Sequence, residues 1–147
     1  MRETIEFVLP IERITAALRL IDGSRHDVVL FVPIGETFRD LLESPLPFLP
    51  AREGKSIRIY ARAQIATITV AAPPTSVTAD GPPPREVPVN VQLVGDQAVR
   101  GTMRYVARFE RPRTADHLNE EGRWFQIEAG GELTHVAKAH VLYVEEV

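Results

Sequence analysis

Two stretches of this chain align without a gap: residues 39–70, RDLLESPLPFLPAREGKSIRIYARAQIATITV, and residues 115–146, ADHLNEEGRWFQIEAGGELTHVAKAHVLYVEE. Apolar residues and turn residues recur at matching positions. The five identical pairs in these 32 positions are Asp40/Asp116, Leu42/Leu118, Gly54/Gly130, Ala61/Ala137 and Ala63/Ala139. A repeat within one chain outweighs the propensities of single elements as evidence for an architecture. The alignment therefore predicts an internal duplication.

Upstream of this match the offset is 73 residues, which aligns Ile14, Leu18, Leu20 and Ile21 with Val87, Val91, Leu93 and Val94. Each half is then predicted to contain two strands, a short helix and two closing strands. The first two strands are predicted over residues 13–20 and 27–32, with counterparts over 87–94 and 99–109. The closing strands of the first half are predicted around residues 57–62 and 65–70, because apolar and polar residues alternate there.

The two short helices have recognisable ends. Thr37 and Asp40 resemble a capping box, which predicts a helix over residues 37–43 that stops before Pro45. The second helix is predicted to begin near Thr114 and to reach Asn119, before a glycine.

Prolines mark the boundary between the halves. Six of the twelve prolines lie between Pro73 and Pro88. Proline has no N–H for a sheet ladder, and a Pro-Pro-Pro run favours an extended chain, so residues 73–84 are predicted to form a semi-rigid linker. The linker follows a first unit, residues 1–72, whose residues 1–10 are predicted to add a strand. It precedes a second unit, residues 85–147.

The expected fold class is mainly β with short helices. It consists of two tandem, internally duplicated, small bent-sheet or barrel units, each with about four to five strands and one short helix. A single unit of about 60 residues would be marginally stable, so the two units are expected to associate. The pattern leaves open whether they pack as two barrels with a shared core or pair strand to strand in one sheet.

Residues 91–103, VQLVGDQAVRGTM, place an apolar strand before a glycine turn, then an apolar residue, one further position and a glycine. This pattern resembles the first two strands of the Sm-like small β-barrel proteins. In the first half Leu20, Gly23 and His26 fit the pattern loosely, and Val28 replaces the glycine. The resemblance implies a five-stranded bent barrel and assembly into a ring. The RNA-binding motifs of that family are not matched.

Composition narrows the class of protein. The chain has 147 residues, a formal net charge of −3 and no cysteine, which excludes disulfides, thiolate nucleophiles and zinc–thiolate sites. No apolar run approaches the roughly 20 residues that a membrane-spanning helix needs. A cytoplasmic protein without a membrane partner is expected.

Catalytic and metal-binding motifs are absent from the sequence. It contains no G-x-S-x-G segment, glycine-rich phosphate loop or dinucleotide-binding fingerprint. The adjacent glycines Gly130-Gly131 are predicted to form a hairpin turn between two strands. His135 and His140 do not have a metal-binding spacing, and His135 aligns with Ile59, which the alternation places toward the core. A buried, hydrogen-bonded histidine is therefore expected. We assign no catalytic residue, cofactor or metal ligand, and we expect a non-catalytic protein.

Two basic strand faces are candidate anion sites. Arg100, Arg104 and Arg108 share one face of a strand, and they could contact phosphates or pair with acidic residues on neighbouring strands. Arg58, Tyr60 and Arg62 form a basic–aromatic–basic face, which could stack a nucleic-acid base or be an ordinary exposed sheet face.

A third candidate is the apolar surface around the two helices. Its residues could close each barrel as a plug or meet a partner, since Trp and Phe are favoured at interfaces and proline-flanked segments lose little entropy on binding. The candidate interface residues are Phe38, Leu42, Leu46, Phe48, Trp124 and Phe125.

The sequence therefore favours a non-catalytic protein-interaction, regulatory or scaffold module built from two Sm-like repeats. Its partner would be another protein or a second copy of the chain, bound through strand edges or the helix–proline segment. The alternative is binding of single-stranded RNA or a nucleotide through the arginine faces.

Overall fold

The computed structural model describes residues 11–72, 84–106 and 113–147. These residues form one ten-stranded antiparallel sheet with two short helices, which confirms the mainly β fold class. The strands are β1 (Glu12–Leu20), β2 (Arg25–Val32), β3 (Phe48–Glu53), β4 (Ser56–Ala61), β5 (Ile65–Ala71), β6 (Arg85–Leu93), β7 (Gln97–Tyr105), β8 (Trp124–Ala129), β9 (Glu132–Ala137) and β10 (Val141–Glu146). The helices are α1 (Phe38–Glu43) and α2 (Thr114–Leu118), and single 3₁₀ turns cover Arg62–Gln64 and Lys138–His140.

Three predicted segments lie outside the described residues. These are the N-terminal strand over residues 1–10, all but the last residue of the linker over residues 73–84, and the end of the predicted strand 99–109 beyond residue 106.

The strand order is the same in both halves. Across the sheet it runs β10-β6-β7-β8-β9-β5-β1-β2-β3-β4, so each half contributes its fifth, first, second, third and fourth strand in that order. Element positions correspond as well, since β3 begins at Phe48 and β8 begins at Trp124, 76 residues later. The sequence left two arrangements open, and the structure has the halves paired strand to strand, with β5 next to β9.

Backbone hydrogen bonds repeat at matching positions. Ile21 N–H donates to the carbonyl of Gln64 at 2.9 Å, and Val94 N–H donates to the carbonyl of His140 at 3.0 Å. Each bond ties the end of a first strand to the 3₁₀ turn before the fifth strand. The turns therefore hold equivalent places in the two halves.

Local sequence explains the helix and hairpin ends. The Thr37 hydroxyl accepts from Asp40 N–H at 3.1 Å, and the Asp40 carboxylate accepts from Thr37 N–H at 2.8 Å, which confirms the predicted capping box. The predicted Gly130-Gly131 turn joins β8 to β9 with both φ angles positive, at 58° and 78°. Two consecutive positive φ angles are typical of a tight hairpin turn, and glycine adopts them without strain.

The sheet carries two hydrophobic clusters, and each takes a residue from the other half. The first contains Leu18, Leu30 and Leu49 from the first half, and Trp124 from the second half packs against it. The second is built mainly from the second half, but Ala66 of β5 belongs to it. Each half therefore contributes a side chain to the other half's cluster, and the join between the halves is part of the core.

Candidate functional site

The join between the halves is a ladder of five residue pairs between β5 and β9. The pairs are Thr67↔Val136, Ile68↔His135, Thr69↔Thr134, Val70↔Leu133 and Ala71↔Glu132. The hydroxyls of Thr69 and Thr134 lie 3.0 Å apart and form a hydrogen bond across the ladder. We call this region the inner junction.

Helix α1 of the first half covers the inner junction. The ring of Phe38 meets the ring of His135 edge to face at a centroid distance of 5.1 Å. The indole N–H of Trp124 donates to the carbonyl of Leu42 at 2.9 Å, and the backbone N–H of Arg123 donates to the carboxylate of Glu43 at 2.9 Å. These contacts cover the β8–β9 face from the side of α1.

The outer strands β4 and β10 are the two open edges of the described sheet. An open edge presents unpaired N–H and C=O groups to any extended segment that approaches. Large apolar side chains are exposed at both ends. Near β4 they are Phe48, Ile57 and Ile59, and near β10 they are Leu142, Tyr143 and Val147.

Two of these side chains have buried counterparts at the inner junction. Ile59 is 65% exposed, whereas His135, the residue 76 positions later, is 6% exposed. Tyr143 is 55% exposed, whereas Thr67, the residue 76 positions earlier, is 3% exposed. These two strand positions are therefore buried where the halves meet and exposed at the ends of the sheet.

The prediction of which face of β4 is buried is wrong. The sequence places Ile57 and Ile59 toward the core and Tyr60 on an exposed face, but the two isoleucines are 61% and 65% exposed and Tyr60 is buried. Tyr60 packs in the first hydrophobic cluster, and its hydroxyl donates to Glu53 at 2.6 Å. A period of two separates the faces of a strand, but it does not identify which face is covered.

A polar cluster lies beside the open edge at β4. Glu53 accepts from Tyr60, forms an ion pair with Arg58 at 3.0 Å and lies 3.3 Å from Nδ1 of His26. The Tyr60 hydrogen bond is the main reason that the pKa of Glu53 lies below its usual value. Burial is the main cause of the raised pKa of Tyr60, and Glu53 adds to it. Tyr60 is therefore held inside the fold and does not form a stacking platform.

The predicted Arg58-Tyr60-Arg62 face is not a single surface. Arg58 is exposed on β4, whereas Arg62 lies in the 3₁₀ turn after it and donates to the carbonyl of Leu41 at 2.7 Å. Tyr60 is buried between them, and the two guanidinium groups contact different partners, Glu53 and the carbonyl of Leu41.

The arginine stripe of β7 is partly neutralised. Arg104 forms ion pairs with Glu86 and Glu128, both at 3.1 Å, which is the alternative in which strand arginines pair with neighbouring acids. Arg100 is exposed on the same strand, and Arg108 lies outside the described residues.

The predicted interface residues divide into two groups. Leu42 and Phe125 are buried, and Phe38 and Trp124 are half-buried and pack at or beside the inner junction. Leu46 and Phe48 are 64% and 55% exposed. The first group therefore holds the halves together, and only the second group is available to a partner.

A cleft of about 550 Å³ opens beside the inner junction. It lies between the loop after α1, the two 3₁₀ turns and the start of β8, and it is lined by both apolar and cationic side chains. Nothing in the sequence identifies this cleft, because its walls come from four separated segments.

His135 is buried, as its alignment predicts, although its counterpart Ile59 is not. Its Nδ1 lies 3.3 Å from the amide nitrogen of Gln126, and Nε2 has no hydrogen-bond partner. Burial lowers the pKa of His135 to about 4, so the ring is neutral at pH 7.

Searches for related proteins give no match. No family model, curated protein or solved structure corresponds to this chain. Within residues 11–72, 84–106 and 113–147, no group of three or more His, Asp or Glu side chains could hold a metal ion. Over the same ranges, no helix has the length and apolar character needed to cross a membrane.

Proposed function

We propose that this protein is an interaction module that self-associates head to tail, with β4 of one copy pairing with β10 of the next. The supporting observation is that the two open edges correspond to the two partners of the inner junction, β9 and β5. On this proposal the halves are duplicated units, and the contact inside one chain is repeated between chains. Addition of a strand to an open edge is a common mode of protein recognition.

The inner junction supplies the register of this contact. Each β9 residue is replaced by the β4 residue 76 positions earlier, and each β5 residue by the β10 residue 76 positions later. The resulting pairs are Tyr60↔Tyr143, Ile59↔Val144, Arg58↔Glu145, Ile57↔Glu146 and Ser56↔Val147. One pair joins two apolar side chains and another joins opposite charges, and both kinds of cross-strand pair are favourable. Arg58↔Glu145 occupies the place that the Thr69–Thr134 hydrogen bond has at the inner junction.

Exposed apolar side chains support the same contact. Phe48 is the counterpart of Trp124, which reaches across the inner junction to the first cluster. Leu142 is the counterpart of Ala66, which is buried in the second cluster. Covering Phe48 and Leu142 in an assembly would remove apolar surface from water, and this is the main driving force for protein association.

A head-to-tail contact uses two different surfaces, so it does not end at a dimer. It gives a ring if the rotation between copies closes and a filament if it does not. The Sm-like resemblance favours a ring, in which each chain would supply two of the repeated units.

Charge reversal tests the proposal. By light scattering after size-exclusion chromatography, we expect the wild-type chain to exceed its 16.4 kDa monomer mass at micromolar concentration. Glu145→Arg should weaken association by about tenfold or more because like charges then face each other, and Arg58→Glu should do the same while also losing its ion pair with Glu53. The double variant should recover the wild-type mass. Arg100→Glu, a reversal on β7 away from both open edges, is the matched control.

Two outcomes would contradict the proposal. The first is a wild-type chain that stays at the monomer mass at every concentration. The second is a double variant that associates no better than the singles although circular dichroism shows it folded, because the opposite charges would then not face each other.

Nucleic-acid binding through the arginine faces is less well supported. Arg104 already pairs with two carboxylates, and Arg58 and Arg62 do not share a surface. Phosphate-driven binding falls steeply with added salt. Retention of single-stranded RNA at low salt that is lost in Arg104→Glu would favour this alternative.

A further inference from the structure

The cleft beside the inner junction combines an apolar wall with a group of cations. Its apolar side chains include Leu42, Leu46 and Trp124, and prolines 45 and 47 stiffen the loop that carries Leu46. A volume of about 550 Å³ lies within the range of about 300–1,000 Å³ that is typical of small-molecule sites. The cleft is therefore large enough for a small organic ligand.

The cations that line the cleft are Arg62, Arg123, Lys138 and, when protonated, His140. Each donates a hydrogen bond to a backbone carbonyl. The bonds run from Arg62 to Leu41 at 2.7 Å, from Arg123 to Ser44 at 3.2 Å, from Lys138 to Glu120 at 2.8 Å and from His140 to Ala63 at 2.6 Å. These bonds fix the side chains but do not neutralise their charge.

Acidic side chains are absent from the described lining of this cleft. Glu43 lies beside Gly122, and its carboxylate accepts from the backbone N–H of Arg123. Burial, together with the charge of Arg123, lowers the pKa of Arg62, so the local environment disfavours this concentration of positive charge. The Nε–H of Arg62 is also buried without an acceptor. A bound anion would offset the repulsion.

We propose that this cleft binds a small amphipathic carboxylate. Its apolar body would lie against Leu46 and Trp124, and its carboxylate would be held by Arg62, Arg123 and Lys138. Guanidinium groups suit a carboxylate because their planar donors match its two oxygens. A neutral ligand would leave the cations uncompensated, and a cationic ligand would be repelled.

This site is independent of the proposed self-association. None of the side chains that line the cleft belongs to β4 or β10. Loss of assembly would therefore leave the cleft intact, and loss of ligand binding would leave the open edges intact.

The only tryptophan of the chain, Trp124, lines the cleft and reports on its occupancy. We expect decanoate, below its micelle concentration, to change the Trp124 emission saturably. Decan-1-ol should bind about tenfold more weakly or worse, because charge-assisted hydrogen bonds are lost. Decyltrimethylammonium should not bind. Backbone amide NMR shifts at Ala63 and Ala139 should follow the same titration.

Substitutions test which cations of the cleft bind the carboxylate of the ligand. Arg62→Met and Lys138→Met should each weaken decanoate binding by about tenfold, whereas Arg100→Met, on exposed β7, should leave it unchanged. Because both cleft variants lose a bond to a carbonyl, thermal unfolding checks that they fold. The comparison of decanoate with decan-1-ol on the wild-type chain does not depend on any variant. Equal affinity for decanoate and decan-1-ol would overturn the proposal, and so would the absence of saturable binding or an equal loss in Arg100→Met.

Discussion

The inner junction pairs β9 with β5, whereas their counterparts β4 and β10 form the two open edges of the described sheet. At the inner junction, β5 and β9 are paired, and Phe38 of α1 packs on His135 of β9. At the ends, β4 pairs only with β3 and β10 only with β6 in the described sheet, and Ile59 and Tyr143 face solvent. The difference shows that burial in this fold depends on what lies across the edge and not on the strand sequence alone. On the proposed self-association, the inner junction gives the register in which the open edges of two copies pair.

The largest contrast is between Trp124 and its counterpart Phe48. Trp124→Ala removes a side chain that packs on the first cluster and donates to Leu42, so we expect a loss of about 3 kcal/mol in the free energy of unfolding. Phe48→Ala removes an exposed ring and should cost within about 0.5 kcal/mol in the dilute monomer. Urea unfolding at low protein concentration measures both. Equal losses would mean that the two positions are equally covered.

The next contrast is between His135 and Ile59, and it depends on pH. The folded-state pKa of His135 is about 4, below the unfolded value near 6.5, so the unfolded chain takes up a proton first. Stability should therefore fall as pH drops from about 6.5 toward 4, by about 2 kcal/mol at pH 5.

His135→Gln should remove the largest part of this dependence, with a smaller part left to His117, whose pKa burial also lowers. Ile59→Gln, a change at the exposed counterpart, should keep the dependence. The measurement is the midpoint of urea unfolding at a series of pH values from 7 to 4.5. A His135→Gln variant with the wild-type slope would show that another group causes the acid sensitivity.

Two glycines in matching hairpins give a smaller contrast. A Cβ at Gly95 would lie 2.8 Å from the carbonyl oxygen of Ile21, whereas at Gly23 it would meet open space. Both residues have positive φ, at 75° and 89°. Gly95→Ala should therefore cost about 2 kcal/mol, and Gly23→Ala about 1 kcal/mol, in thermal or urea unfolding. The reverse order would mean that the close approach at Gly95 relaxes freely.

The smallest expected effect is at the surface of β7. Arg104 bridges Glu86 and Glu128 but is 43% exposed, so Arg104→Gln should change the free energy of unfolding by about 0.5 kcal/mol or less. Raising the salt concentration should remove what effect there is. A loss above 2 kcal/mol would mean that the arginine stripe is structural.

Part of the fold could be predicted from the sequence because local chemistry decides it. The capping box at Thr37, the hairpin at Gly130-Gly131 and the mainly β class depend on neighbouring residues and on composition. The 76-residue offset also predicted strands at positions where the structure has them.

The rest depends on contacts between distant segments. Alternation in β4 does not identify the covered face, so the sequence places Ile59 toward the core and Tyr60 on the surface, the reverse of the structure. Nothing local shows that Trp124 packs on the other half's cluster. Arg62 and Lys138 are equivalent positions of the 76-residue offset, but nothing local shows that their two turns and Arg123 line one cleft.

If the open edges pair as the inner junction does, cysteines at opposed positions of β4 and β10 should form a disulfide between two copies of the chain. The chain has no cysteine, so introduced cysteines react only with each other. Directly opposed residues on paired strands lie within disulfide reach. Thr69→Cys/Thr134→Cys, in one chain, is the internal standard because those hydroxyls lie 3.0 Å apart.

An equimolar mixture of Arg58→Cys and Glu145→Cys chains should form a disulfide-linked heterodimer on mild oxidation. A mixture of Arg58→Cys and Tyr143→Cys chains, two positions out of register, should form far less. Non-reducing electrophoresis and mass spectrometry of the linked peptides make the measurement. We expect a 58–145 link to form at a rate near that of the 69–134 standard. Absence of that link, or equal yields from the two mixtures, would contradict it.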